Sequence, residues 1–236
     1  MSRFDSGAIG VMMKANAREG QMSRSALRRL REKEQRYNTV LKAAETLFAR
    51  QGYHQTSIEE IADLAEVSTG TVYFYFKNKE DLLIKLMGEI GFFLREWLGR
   101  EQEKSDLTLD GFSDIAVAFL RDFCVNYPEK IRIFFRESVG QSREVEEQRK
   151  HLFERLTAEI KNVLVRISGH LGRGFVSEAA PEVMGVCIVG IFERLACHYV
   201  LWPDQAVAME AIVEETVAFL RGGIGGLLEP DPRATH

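Results

Sequence analysis

Two short helical runs, each preceded by a hydroxyl residue and separated by about three residues, constrain this chain more than any other feature. In TSIEEIADLA, Thr56 is placed to cap a helix and Glu59, three residues on, to close a capping box. That run is only about two turns long and ends near Ala65. After EVST, Ser68 or Thr69 can cap a second run that ends near Tyr75. Ile58, Ile61, Ala62, Leu64, Val67 and Val72 supply a small apolar core between them, with Ala62 and Val67 compact enough for a close crossing. This spacing matches a helix-turn-helix, in which the second helix enters the major groove of double-stranded DNA.

The second run carries side chains suited to that partner. Thr69, Gly70, Thr71 and Tyr73 are expected to face outward. Hydroxyls suit phosphate oxygens and base edges, and threonine methyls can meet thymine methyls. Gly70 allows close approach. Tyr73 and Tyr75 can reach phosphates with their phenols, whereas Phe74 and Phe76 are expected to pack inward. Lys79, at the positive end of the next helix, would add charge toward a phosphate. The alternative is that all four rings are core and the lysines merely solvated.

The remaining segments show the helical period with few alternating runs, so the fold is read as all-α. A first helix spans about 28–50, with Val40, Ala43, Ala44, Leu47 and Phe48 on one face and Gly52 ending it. Asn78 caps a longer helix, and further helices are expected near 110–126, 128–138, 142–169, 181–201 and 206–221. The glycines of RGGIGG and the last ten residues read as a frayed end.

Charge is uneven. Residues 1–55 carry eleven Lys or Arg against five acids, a net of +6 in a chain whose total is −4, so the remainder carries −10. A basic front on an acidic body fits a polyanionic partner. Cys124, Cys187 and Cys197 have no metal-like spacing and read as core thiols in a reducing compartment. No run nears the roughly 18 to 20 apolar residues of a membrane helix, and no signal peptide is apparent, so a cytoplasmic location is expected. No phosphate loop, nucleophile elbow or His–carboxylate cluster stands out; no cofactor, metal or catalytic residue is expected.

The stretch TSIEEIADLAEVSTGTVYFYFKNKEDLL, with ETLFARQGYHQ before it, resembles the DNA-binding domain of TetR/AcrR-family transcriptional regulators over about residues 34–85. The resemblance implies that Thr69 to Tyr75 form the recognition helix, with DNA contacts from Thr56, Thr71, Tyr73, Tyr75 and Lys79. It implies a helix-turn-helix domain over 28–78 and a helical ligand-binding and dimerisation domain over 79–226, while composition without a period reads as a flexible basic arm over 1–27 and a frayed tail over 227–236. The last two long helices would form a four-helix bundle in a homodimer through about 181–221, reading a palindrome. Val186, Cys187, Ile188, Val189, Ile191 and Leu195 agree, being apolar over more than one helix face.

Large rings crowd the middle of the chain and favour an apolar or amphipathic small effector. Phe93, Trp97, Phe119, Phe123, Phe135, Phe192 and His198 are the candidate ligand contacts. GIFERLACHYVLWPD resembles the matching segment of family members that sense fatty acyl-CoA. The expected function is a repressor released from its operator by such a molecule. The alternatives are an activator or architectural DNA-binding protein, and an enzyme or carrier that uses the aromatic cavity.

Overall fold

Helix α1 (Arg24–Gln51) starts behind Ser23, whose hydroxyl accepts from the Ala26 N–H at 3.3 Å. The computed structural model of the chain describes residues 23–202 and 207–230. The arm expected over 1–27 therefore lies mostly outside the described residues, and from Arg24 onward it is helix instead. The Ser23 cap and the Arg28–Glu32 pair at 2.7 Å support that extra turn. The predicted apolar face of α1 is buried: Val40, Ala43, Ala44, Leu47 and Phe48. Gly52 stops the helix with φ +92°, donating its N–H to the Phe48 carbonyl, a backbone state glycine adopts at least cost.

Helices α2 (Ile58–Leu64) and α3 (Thr69–Tyr75) follow, then the long α4 (Lys79–Lys104), whose cap Asn78 accepts from the Asp81 N–H at 2.7 Å. Helix α5 (109–126) runs as Leu109–Ala118, a π-helical segment Phe119–Phe123 and a last turn Cys124–Asn126. Helix α6 (128–137) joins Pro128–Arg132 to a second π segment, Ile133–Glu137. After α7 (Arg143–His170), helix α8 (180–201) joins Ala180–Leu195 to a third π segment, Ala196–Leu201, and α9 (Met209–Gly226) follows. Pro128 and Pro181 sit in first turns, where a missing N–H is harmless.

The fold is all-α, with an N-terminal helix-turn-helix unit followed by a helical domain. One apolar cluster runs without a break from Val40 and Phe48 through Val72 and Phe76 to Leu86, Phe123, Ile133 and Leu201. A second, containing Phe112, Leu164, Ile188, Leu220 and Leu228, fills the far end. The headpiece thus rests directly on the larger domain's core.

The expected frayed end is corrected over 222–230, while 231–236 of the expected tail lie outside the described residues. Gly222, Gly223, Gly225 and Gly226 lie inside α9, and Leu228–Pro230 (β2) pairs antiparallel with Arg173–Phe175 (β1). Packing overrides the poor helix propensity of glycine: Leu220, Ile224 and Leu228 are all buried in the second cluster. Cys187 is likewise exposed, not a core thiol, while burial raises the Cys124 thiol to about 12. Among the described residues no helix is long and apolar enough to cross a membrane.

Candidate functional site

The cap of α2 falls one residue later than the sequence suggested. Ser57, not Thr56, closes a reciprocal capping box: the Glu60 N–H donates to Ser57 Oγ at 3.1 Å and the Ser57 N–H to Glu60 Oε2 at 2.8 Å. The bond from the Ser57 N–H is the chief cause that holds the Glu60 carboxyl below its ordinary range. Thr56 is 2% exposed, and its hydroxyl donates to the Gly52 carbonyl at 2.8 Å. Its side chain is part of the loop that launches α2 and does not reach the surface, which corrects its expected DNA contact.

The turn into α3 passes through Glu66 at φ +53°, and the Val67 N–H returns to the Ala62 carbonyl at 3.0 Å. Ser68 then caps α3, accepting from the Thr71 N–H at 3.1 Å and sharing a hydrogen bond with the Thr71 hydroxyl. On α3, Thr69 and Gly70 are exposed, Thr71 and Tyr75 half-buried, and Val72 buried. Tyr73 is 54% and Phe74 69% exposed.

The inward placement expected for Phe74 is therefore wrong. A sequence signal did exist: Val72 and Phe76, four apart, mark the buried side, and a residue two positions from each lies about 200° round the helix. Phe76 stacks on Tyr37 at 5.1 Å and Tyr75 meets the same ring edge-on at 6.0 Å. The row thus divides into Tyr73 and Phe74 outside, Tyr75 at the margin and Phe76 in the core. A Cβ on Gly70 would meet only Ser68 Oγ, at 3.7 Å. The free protein does not need glycine there, but a close-approaching partner would.

Lys79 has partners within the protein itself. Its ammonium donates to the carbonyls of Tyr53 and Thr56, both at 2.8 Å, and of His54 at 3.4 Å, and lies 4.5 Å from the centre of the Tyr53 ring. An ammonium has three donors, and the loop 52–57 takes all of them. Burial lowers the Lys79 pKa. Its place is to hold the entry to α2, while neighbouring Lys77 is exposed.

In the larger domain an apolar cavity of about 90 Å³ lies between α4, α5, α6, α7 and α8. Among the seven candidate ligand residues, Phe119, Phe135 and Phe192 line it. Phe93, Trp97 and Phe123 stand behind the wall in a ring stack, with Trp97 5.2 Å and Phe93 5.9 Å from Phe123. His198 faces Tyr199 and Trp202 instead. The rest of the lining, Leu94, Leu98, Phe112, Ile115, Ala116, Leu156, Ile160, Ile188 and Val189, was missed. Aliphatic residues facing a cavity share the period of residues facing a filled core, so no local signal separates them.

On α8 and α9 the apolar surface faces two ways. Met184 and Ile188 point into the second cluster, whereas Val183, Val186 and Phe219 are 57%, 57% and 65% exposed.

A family model described as bacterial regulatory proteins, tetR family, matches residues 40–86. The fatty acid metabolism regulator protein of Bacillus subtilis is 26% identical over 200 residues, covering 83% of this chain and 98% of that protein. The transcriptional activator FasR of Mycolicibacterium smegmatis is 25% identical over 194 residues, covering 81% and 84%. The solved structure of FadR from Bacillus subtilis in complex with stearoyl-CoA has the same fold, with a TM-score of 0.69 at 20% identity over 79% of this chain and 98% of that one.

Proposed function

We propose, from the premise that the chain belongs to the tetR family of bacterial regulatory proteins, that it represses transcription from a palindromic operator and leaves it on binding a long-chain fatty acyl-CoA. The observation that carries the DNA side of this reading is the surface of α3. Thr69, Gly70, Tyr73 and Phe74 are exposed on a helix whose Val72 is wholly buried and whose C-terminal neighbour Phe76 is 1% exposed. Such a helix has its orientation fixed from behind and its front free for a groove. Thr71 and Tyr75 flank that front, and Lys77 with the arginines of early α1 supply charge for phosphates. The reading head runs to Asn78 and the effector domain begins at Lys79. The protein acts by binding, in the cytoplasm with its DNA.

The effector side rests on the apolar lining and on the relatives, one named for fatty acid metabolism and one solved with stearoyl-CoA. At about 90 Å³ the cavity has room for about three waters, whereas ligand sites usually measure about 300–1,000 Å³. An acyl chain enters only by displacing the walls. That displacement gives the ligand different affinities for two arrangements, the requirement for shifting a population. The exposed valines of α8 and Phe219 of α9 support a homodimer. Replacing Val186 with Asp is expected to give monomers in sedimentation, and an unchanged value removes this face from the interface.

The deciding experiment is selection of bound DNA from a genomic fragment pool by the full-length protein, with and without stearoyl-CoA. An enriched palindrome lost on adding stearoyl-CoA is the expected result; no enrichment at low salt overturns the reading. Affinity should fall by roughly 10³ between 50 and 200 mM salt if about six phosphates are contacted. The relative described as an activator supports a second reading, in which the bound protein raises transcription. Transcription in vitro from the selected site separates the two by sign.

A further inference from the structure

Helix α6 packs on α1 through the shared apolar core, makes two side-chain hydrogen bonds to the headpiece and lends one residue to the cavity wall. Lys130, near its start, donates to Glu45 Oε2 of α1 at 2.7 Å, and Glu45 is buried. Glu137, at its end, accepts the Tyr53 N–H on Oε2 at 3.0 Å. Between them Phe135 lines the cavity. Phe135 and Glu137 belong to the same π segment, Ile133–Glu137.

Tyr53 opens the loop that leads into α2, and Lys79 of α4 grips the carbonyls of the same loop. The loop is therefore held from two elements, and both supply cavity wall: Phe135 from α6, Leu94 and Leu98 from α4. The fit is close, since a Cβ on Gly52 would come 3.3 Å from Glu137 Oε2.

A π segment holds one residue more per turn than its neighbours, and here side chains maintain it. Arg149 of α7 donates to the Phe134 carbonyl at 3.0 Å and to Ser138 Oγ at 2.8 Å. Gln141 donates to the Glu137 carbonyl at 2.8 Å. A one-residue change of register in a helix turns a side chain by about 100°, far more than a 3.0 Å hydrogen bond tolerates.

We propose that Glu137 is the positioning residue through which the cavity wall sets the reading head: displacement of Phe135 turns the π segment, Glu137 leaves the Tyr53 N–H, and loop 52–57 is released. The consequence for DNA rests on the function proposed above. The contact and its coupling to Phe135 do not, and they can be measured on the protein alone.

The test is amide exchange at Tyr53 in the full-length protein, with α4 core amides as the reference for global opening. Replacing Glu137 with Met removes the acceptor at similar length and is expected to speed Tyr53 exchange about tenfold or more. Glu137→Gln keeps a carbonyl acceptor and should stay within about threefold of the parent protein. Phe135→Leu, a mild trimming of the wall, should speed Tyr53 exchange in the parent background and add nothing when Glu137 is Met. Unchanged exchange in Glu137→Met, or an equal effect of Phe135→Leu in both backgrounds, overturns the proposal. The second arm measures affinity for the selected fragment with and without stearoyl-CoA. The ratio of the two should collapse toward one in Glu137→Met, and a preserved ratio counts against coupling through this residue. If the parent protein binds no fragment, the proposed function fails while the exchange result still decides the role of Glu137.

Discussion

Among the described residues, each helix of the reading head starts behind a side-chain cap, Ser23, Ser57 and Ser68, and Asn78 does the same for α4. Around the cavity, α5 and α7 also start behind caps, Thr108 and Ser142, but α5, α6 and α8 each change register partway along, at π segments. The first kind of order comes from hydrogen bonds between residues about three apart. The second comes from rings and charges that meet only after folding. Phe119 and Phe123 stack at 5.6 Å within one π segment, while Phe119 meets Phe192 of α8 at 5.4 Å. The contrast suits a rigid head carried by a wall that an incoming molecule can repack.

Four substitutions probe that contrast. The largest effect is expected at Phe123, 1% exposed at the centre of the ring stack. Phe123→Ala should cost about 4 kcal/mol in denaturant unfolding, and a loss below that of Ser57→Ala would show that packing does not hold the wall. Lys130→Met should cost about 2 kcal/mol, because it removes one of the two charge-assisted hydrogen bonds to the buried Glu45 carboxylate.

Glu45 also gives that pair a pH signature. Burial alone would raise its pKa, but the hydrogen bonds and charges of Lys130 and Lys42 outweigh it and leave the carboxyl below its ordinary 4.5. Its contribution to stability is then complete above pH 4.5 and disappears as pH falls through the lower folded value. In Lys130→Met the folded carboxyl titrates closer to its ordinary value, so less stability should be lost on acidification and the variant's deficit should shrink as pH falls from 6 to 3 in melting curves; a deficit of equal size at all pH values would break the assignment.

In the head, Ser57→Ala removes one half of the capping box and should cost about 1 kcal/mol. Gly70→Ala should have the smallest effect on folding, neutral to about 1 kcal/mol stabilising, since nothing opposes a methyl there. It should nevertheless weaken operator binding measurably, and unchanged affinity would take Gly70 out of the DNA contact.

Much of the head was legible in the chain because its signals are local. The cap at Asn78, the choice of Ser68 or Thr69 ahead of α3, the stop at Gly52 and the buried face of α1 all follow from residues within a turn or two of one another. The cap of α2 was placed one residue early because Thr56 and Ser57 are both competent, and only burial of Thr56 against Gly52 chooses Ser57. An apolar ring argues for an inward Phe74, whereas the spacing of Val72 and Phe76 turns it out. Lys79 read as a phosphate ligand because its partners, the carbonyls of Tyr53 and Thr56, are more than twenty positions away.

The sequence by itself determined where most helices start, which face of α1 is buried and that two short helices must cross ahead of a larger helical domain. Hydrogen bonds across three residues and a 3.6-residue period are properties of the local chain. Only the tertiary structure decided which rings line the cavity, where three helices take up π geometry, and that four glycines continue α9 into a strand. It also decided how the cavity wall meets the head. The Tyr53–Glu137 and Glu45–Lys130 contacts join residues 84 and 85 positions apart, a separation over which no periodicity or cap carries information and only the packed core selects the partner.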